Sequence, residues 1–416
     1  MRISRDLYLK RLISSRHNGM IKIVTGVRRC GKSYLLFELF CNYLEISGVS
    51  RDHIVKVDLE DRHNKDLRNP DALMAFIDSR IVDKNMYYVL LDEVQLVDEF
   101  EDVLNSYLKK SNVDIYVTGS NSRFLSRDVA TEFRGRGEEI KIFPLSFREF
   151  MSAFAGDNAS GLAEYLTYGG MPKLFDMPDD SAKMAYLSNL FQKTYLSDIE
   201  ERYKIKNSDE LAELIDVVAS SIGGFTNPSK LENTFKSVKH SKISQPTIKS
   251  YLEILQDVFL VKKAIRYDIK GRHYIDTPAK FYFEDLGLRN ARLDFRQQES
   301  NHLVENLIYN ELCIRGFSVD VGVVTHSVKE FGKLVRKQLE VDFVCNKGSK
   351  RCYIQSAWHI PSEEKRLQEL NSLRRIDDSF LKFIITNDPV KKHQDENGVV
   401  VMNLFDFLLD ESSLHI

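Results

Sequence analysis

Short stretches of apolar residues alternate along the first third of the chain with segments in which apolar residues return every three or four positions. The run Ile21-Lys22-Ile23-Val24-Thr25 predicts a strand, and Tyr34-Leu35-Leu36-Phe37-Glu38-Leu39-Phe40 predicts a helix after it. Ahead of them, Arg5 to Ser14 places Leu7, Leu9, Leu12 and Ile13 at helical spacing. His53 to Leu59 alternates as a strand, a helix is expected near Asp71 to Val82, and Tyr87 to Leu91 is a continuous apolar run typical of a strand buried on both faces. Two further strands are read at Asp114 to Gly119 and Glu139 to Phe143, the second leading into Pro144 to Phe150. Strand, helix, strand in repetition predicts an α/β unit with a parallel sheet.

Beyond residue 150 the period changes. Gly161 to Tyr203 is helix-rich, interrupted at Tyr168-Gly169-Gly170-Met171-Pro172, with Leu187, Leu190, Phe191 and Leu196 as its core face. Helices follow at Leu211 to Ser221, Pro228 to Val238 and Gln245 to Leu255, then a two-stranded segment through Tyr274. Helix, turn, helix and hairpin in that order predict a winged helix-turn-helix. The last third returns to mixed α/β character, with a helix from Asn301 to Arg315 and strands at Leu339 to Cys345 and Cys352 to Ala357.

Composition narrows the class without choosing a chemistry. At 416 residues, 43% hydrophobic and 29% charged, the chain is long enough for about two or three globular domains. Its formal net charge of −2 means that any nucleic-acid contact must be local. No apolar stretch approaches a membrane span, and Met1 to Asp6 lacks the apolar core of a signal peptide, so a cytoplasmic enzyme with no membrane partner is expected. The cysteines, Cys30, Cys41, Cys313, Cys345 and Cys352, contain no C-x-x-C pair, which argues against zinc and against a disulfide framework.

Candidate chemistry begins between the first strand and its helix. Gly26-Val27-Arg28-Arg29-Cys30-Gly31-Lys32-Ser33 fits G-x-x-x-x-G-K-[ST], in the strand-turn-helix setting that motif needs. Its glycines permit backbone angles that let successive N–H groups, from Val27 through Tyr34, converge on phosphate oxygens at the positive end of the helix. Lys32 is placed to reach the β- and γ-phosphates and Ser33 to offer a hydroxyl to Mg²⁺. Cys30 lies within the loop, either as a small tolerated residue or as a point where oxidation would block the site. The strand ending in Leu91-Asp92-Glu93 has the Walker B arrangement. Asp92 would hold Mg²⁺ through water or Ser33, and Glu93 would orient the attacking water. Ser120 and Asn121 follow the fourth strand, placed either to sense the γ-phosphate or simply to turn the chain. Arg134 and Arg136, flanking Gly135, are candidates for a phosphate-directed arginine in the same subunit or a neighbour, or for solvated loop charges.

These motifs, with Leu91-Asp92-Glu93-Val94-Gln95, Thr118-Gly119-Ser120-Asn121-Ser122 and Pro144 to Phe150, resemble bacterial and archaeal P-loop ATPases of the AAA type that end in a restriction-endonuclease-like domain. The resemblance implies ATP and Mg²⁺ binding and a sensor role for Ser120 or Asn121. It also implies a five-stranded parallel sheet with a strand inserted between those of the phosphate loop and Walker B. The resulting fold expectation is α/β: a P-loop NTPase sheet over 1–150, a helical lid over 151–205, a winged helix over 206–290 and an α/β restriction-endonuclease-like domain over 291–416. A GTPase is disfavoured because no N-K-x-D element follows Walker B; Cys345-Asn346-Lys347-Gly348 lacks the acid and lies far downstream.

Two further stretches bear on partners. From Lys230 to Arg272 the chain has Lys230, Lys236, Lys239, Lys242, Lys249, Lys262, Lys263, Arg266, Lys270 and Arg272 against Glu232, Glu253, Asp257 and Asp268. That local excess fits duplex DNA on the winged helix, while a protein contact or a solvated face stays open. In the last third, Glu305 and Asp342 match two acids of a nuclease corner. Gln355 and Ala357 stand where an acid and a lysine would complete it, so nuclease activity is not expected and only one charged side chain is expected on the strand face. The reading is thus an ATPase that binds ATP and ADP and couples nucleotide state to a DNA or protein partner. An ATP-driven nuclease and a non-catalytic nucleotide-gated regulator are the alternatives.

Overall fold

A computed structural model describes residues 3–119, 133, 135–238, 243–330 and 333–415. The chain divides into two compact units, Met1–Pro144 with Asp257–Phe259, and Leu145–Gln256 with Leu260–Ile416.

The first unit is built on a five-stranded parallel sheet of β1 (Ile21–Gly26), β2 (Ile54–Asp58), β3 (Tyr87–Asp92), β4 (Val113–Gly119) and β5 (Gly137–Ile142), in the order β2-β3-β4-β1-β5. β4 lies between β1 and β3, as expected. One face packs Ile21, Ile23, Val55, Val89, Leu91 and Val117 against Leu73 and Ile77 of helix Pro70–Arg80 and Phe100 and Leu104 of helix Phe100–Tyr107. The first of these helices starts where the sequence dictates: Asn69 accepts the Ala72 N–H at 3.0 Å and Pro70 takes the first helical position. Lys22, read in sequence as part of an apolar run, is fully buried and ion-paired to Asp114, with its ammonium 5.0 Å from the Tyr116 ring centre. Helix Asp6–Ser14 buries Tyr8 and Leu12, while Leu7, Leu9 and Ile13 are only partly covered.

The second unit opens with helix Phe147–Met151, started by a reciprocal cap in which Ser146 and Glu149 each accept the other's backbone N–H. Leu187, Leu190, Phe191 and Leu196 are all buried, as their spacing predicts. The break at Gly169-Gly170 is held by the buried Asp285 carboxylate, which accepts the Gly170 N–H at 2.8 Å and caps helix Leu286–Arg292 through Leu288 N–H.

Helices Ser208–Ser220, Pro228–Val238 and Gln245–Asp257 are followed by a hairpin of β7 (Val261–Asp268) and β8 (His273–Phe283), with a two-residue strand β6 (Phe225–Thr226) beside β8. The hairpin does not close a separate domain. β7 pairs in parallel with β9 (Ser318–Glu330), which continues into β10 (Lys333–Lys347), β11 (Lys350–Ala357), β12 (Leu381–Thr386), β14 (Val399–Asn403) and the short β13 (His393–Gln394). The result is one nine-stranded sheet, β13-β14-β12-β11-β10-β9-β7-β8-β6. The sheet therefore takes strands from both sides of the domain boundary expected at residue 290, which itself lies in helix Leu286–Arg292, and the helices expected as a lid cluster in the same unit.

Candidate active site

The loop after β1 is shaped by two glycines and an unusual arginine. Gly26 has φ 142°, and a Cβ there would lie 2.1 Å from the Ile142 carbonyl oxygen on β5, so only glycine allows the loop to leave the sheet at this point. Gly31 at φ 99° turns the chain into the helix that starts as Lys32–Tyr34 and runs on to Ile46, while Arg29 takes the left-handed region at φ 65°. Lys32 is buried, its ammonium donating to the Gly26 and Val27 carbonyls at 3.1 and 3.2 Å. Val27 and Cys30 are buried, Arg28 and Tyr34 are partly exposed, and Arg29 and Ser33 are exposed.

Walker B lies directly beside this loop. Ser33 Oγ donates to Asp92 Oδ2 at 2.7 Å, and Thr118 Oγ1 donates to the other oxygen, Oδ1. The same threonine hydroxyl accepts the Glu93 N–H at 3.0 Å. Glu93 itself has φ 51°, which sets its side chain off from the line of β3, and its carboxylate accepts from Gln95 Nε2. Burial raises the Asp92 carboxyl above the usual range; the Thr118 and Ser33 bonds work to lower it, and Glu93 and Asp58 add to the rise. A buried aspartate held on both oxygens beside an exposed hydroxyl is a site short of positive charge, which suits Mg²⁺ next to Ser33.

Three participants were given no role of their own in the sequence reading. Thr118 reads there as the end of an apolar strand, yet it ties Asp92 to Glu93. Gln95 is two residues from Glu93 and holds its carboxylate. Arg5, 2% exposed at the start of the first helix, donates to the Cys30 carbonyl at 2.9 Å and the Phe143 carbonyl at 2.6 Å, fastening the phosphate loop to the end of β5. The sequence signal for Arg5 was a cation just ahead of an amphipathic helix, which by itself indicates only a solvated turn.

Of the remaining candidates, Ser120, Asn121 and Arg134 lie outside the described residues. Arg136 is described and is exposed, but it precedes β5 at the end of the sheet where β1 begins: its carbonyl accepts the Ile21 N–H at 2.8 Å. The loop leaves the opposite end, where Gly26 is level with Ile142. Five residue steps at about 3.3 Å each separate the two ends, so Arg136 does not serve the phosphates of its own chain.

The acid corner of the second unit also differs from expectation. Asp342 and Gln355 do face each other, Gln355 Nε2 donating to Asp342 Oδ1 at 3.1 Å, with the Ser356 N–H on Oδ2 at 2.7 Å. The corner, however, is not limited to one charge. Lys280 of β8, 4% exposed, bonds Glu305 at 2.8 Å and Glu340 at 2.6 Å, and Tyr282 donates to the same Glu305 oxygen at 2.6 Å. Burial works to lower the Lys280 pKa, but Glu305, Asp342 and Glu340 outweigh it and raise it, while burial and then Glu305 push Asp342 well above the carboxylate range. The lysine was missed because it comes from a distant strand instead of standing two residues after Gln355.

A loop of this form beside Walker B acids at the carboxyl ends of a parallel sheet defines a P-loop domain of the AAA class, and a family model described as an AAA domain matches residues 18–151. A second model, described as a domain of unknown function (DUF8612), matches residues 159–299, spanning the expected lid and winged helix together. An uncharacterized protein of Haemophilus influenzae is 35% identical over 413 residues, 98% of each chain. The protein belongs to the family of that relative. The uncharacterized protein MJ1544 of Methanocaldococcus jannaschii is 28% identical over 403 residues, 93% of this chain and 85% of that one. Among solved structures, the Aeropyrum pernix ORC1 protein in complex with DNA aligns at TM-score 0.32 and 12% identity, over 71% of this chain and 93% of that one. Protein VC1899 from Vibrio cholerae aligns at TM-score 0.21 and 14% identity, over 94% and 96% of the two chains. The family assignment rests on the sequence matches. Among the described residues no helix is long and apolar enough to cross a membrane.

Proposed function

We propose that the protein is a Mg²⁺-dependent ATPase that turns over slowly and uses its nucleotide state to change how the second unit engages a partner, with duplex DNA on the winged-helix segment as the favoured partner. The observation that carries this reading is the continuous set of bonds Ser33–Asp92–Thr118–Glu93 beside the Gly26 to Lys32 loop. Ser33 and Asp92 would hold Mg²⁺, which when bound would supply positive charge against the phosphates. Lys32 exchanges its bonds to the Gly26 and Val27 carbonyls for phosphate oxygens, and the loop N–H groups bind the rest of the polyphosphate. Glu93, once released by Gln95, orients water toward the γ-phosphate, and Thr118 keeps the Glu93 backbone fixed while it does so. Ser120 or Asn121 would sense the γ-phosphate, and Arg134 is the candidate phosphate-directed arginine. The helix order followed by the β7–β8 hairpin supports the winged-helix assignment, as do exposed Lys230, Lys236 and Lys249.

We also infer that the second unit does not cleave DNA. Lys280 already bonds two of the corner's acids, burial pushes Asp342 toward its protonated form, and Ala357 supplies no cation. ATP turnover with and without duplex DNA tests the main proposal. Mg²⁺-dependent turnover that changes with DNA and disappears in Lys32→Ala is expected. Tight ATP binding without turnover would replace it with the non-catalytic regulator, and plasmid nicking lost in Asp342→Ala would replace it with the nuclease.

A further inference from the structure

We propose a second duplex-DNA contact, separate from the winged helix: the two-stranded ribbon formed by the outer halves of β9 and β10. Along the sheet, β7 pairs with β9 over Val321 to Val323, and β11 pairs with β10 over Phe343 to Lys347. Past those points, among the described residues, β9 and β10 pair only with each other, from Val324 opposite Leu339 out to Glu330 opposite Lys333. Six residue steps at about 3.3 Å make a ribbon on the order of 20 Å long. Long uncovered strands invite unwanted pairing unless charged residues guard them, and a two-stranded antiparallel ribbon is one of the two shapes that B-DNA's major groove admits.

The charge on this ribbon is mostly positive, with Lys329, Lys333, Arg336 and Lys337 against the single acid Glu330. Cross-strand partners share a face, so Lys329, Leu334, Ser327 and Arg336 lie together on one side, all exposed. That side continues into the sheet through Gln338, which accepts from Arg266 Nη2 at 2.8 Å. On the other side His326 stands opposite Lys337. Burial, Arg375, Lys270 and Lys337, in that order, lower the His326 pKa, so the charges that act on this ring are cationic. The next acid along β10, Glu340, is bonded to Lys280 and does not offset them. Leu334, 71% exposed, offers an apolar contact suited to a thymine methyl group. An A-form RNA duplex has a major groove too narrow for such a ribbon, so the shape selects DNA.

The test uses the full chain, a fluorescent 30-bp DNA duplex and the RNA duplex of the same sequence, with binding measured from low to moderate salt. The triple variant Lys329→Gln, Arg336→Gln, Lys337→Gln changes only exposed side chains and is expected to bind DNA about tenfold more weakly. Its log affinity against log salt should be shallower by about 2 to 3, because each lost phosphate contact removes about 0.9 from the slope. The double variant Lys230→Gln, Lys249→Gln reports on the winged helix separately. DNA binding lost only in that double variant would leave the earlier reading standing and overturn this one. An unchanged slope in the triple variant, equal wild-type affinity for RNA and DNA, or no wild-type binding at low salt would each overturn it as well.

Discussion

Replacing Thr118 by valine removes one hydroxyl and keeps the shape of the strand. That hydroxyl makes two bonds: it donates to buried Asp92, and it accepts the Glu93 N–H at 3.0 Å. A hydrogen bond to a charged group contributes about 1.5–3 kcal/mol, and the backbone N–H left behind adds about 1 kcal/mol, so Thr118→Val should lower stability by about 2.5–4 kcal/mol in urea unfolding. The larger consequence is for metal. Asp92 would keep only its Ser33 bond at 2.7 Å and would be free to rotate away from the loop. Losing a partner that orients a metal-binding carboxylate typically costs about 10- to 100-fold in affinity. Fluorescent ATP binding measured in Mg²⁺ and again in EDTA separates the two effects. The EDTA affinity, which depends on the loop, should stay within about twofold, while the gain from Mg²⁺ falls by about 10- to 100-fold. Thr118→Ser should restore it. An undiminished Mg²⁺ gain in Thr118→Val would refute the view that this threonine organises the acids.

Glu93→Gln should bind ATP normally while turnover drops by orders of magnitude, because the amide keeps the shape but cannot take charge from water; normal turnover would remove Glu93 from the mechanism. Lys280→Met should destabilise the second unit by about 3–5 kcal/mol, since Glu305 and Glu340 would lose their cation in a buried corner, and a urea midpoint unchanged from wild type would contradict this. Asp285 supplies a pH effect: burial raises its carboxyl to about 6, above its unfolded value, so the folded state holds this proton more tightly. Its contribution to stability is then fullest below the unfolded pKa, near 4, and is lost as pH rises through 6. Asp285→Asn should flatten the stability profile between those two values, and a slope equal to wild type would be inconsistent with the assignment.

The parallel sheet could be read from the sequence because each strand is a local apolar run and each connection a local helix, and the motif glycines fixed where the chain must turn. That Ser33, Asp92 and Glu93 lie together could be read for the same reason, since the first opens the helix after the loop and the other two end a neighbouring strand. Thr118, Arg5 and Lys280 could not. Each acts across 25 residues or more, from Thr118 to Glu93, Arg5 to Cys30 and Lys280 to Glu305, and none belongs to a spacing pattern. The position of Arg136 was hidden for a similar reason: glycine flanks mark a turn but do not say which end of a parallel strand it joins, and the neighbouring-subunit role stays open. The pairing of β7 with β9 was hidden because the two strands are separated by β8 and two helices and have no direct turn between them to fix their register.

That pairing has a consequence for inheritance. Separate modules can be lost or exchanged one at a time, but a chain ending near residue 290 would keep β7 without the strand that covers its outer edge, and a chain beginning there would expose β9 in turn. Either fragment would carry an open edge of the kind that drives aggregation. Deletions and fusions that survive in this lineage should therefore respect the whole second unit, and the acid corner would be kept with it whatever its chemistry, because Glu305 is bonded to Lys280 and Tyr282 of the preceding hairpin.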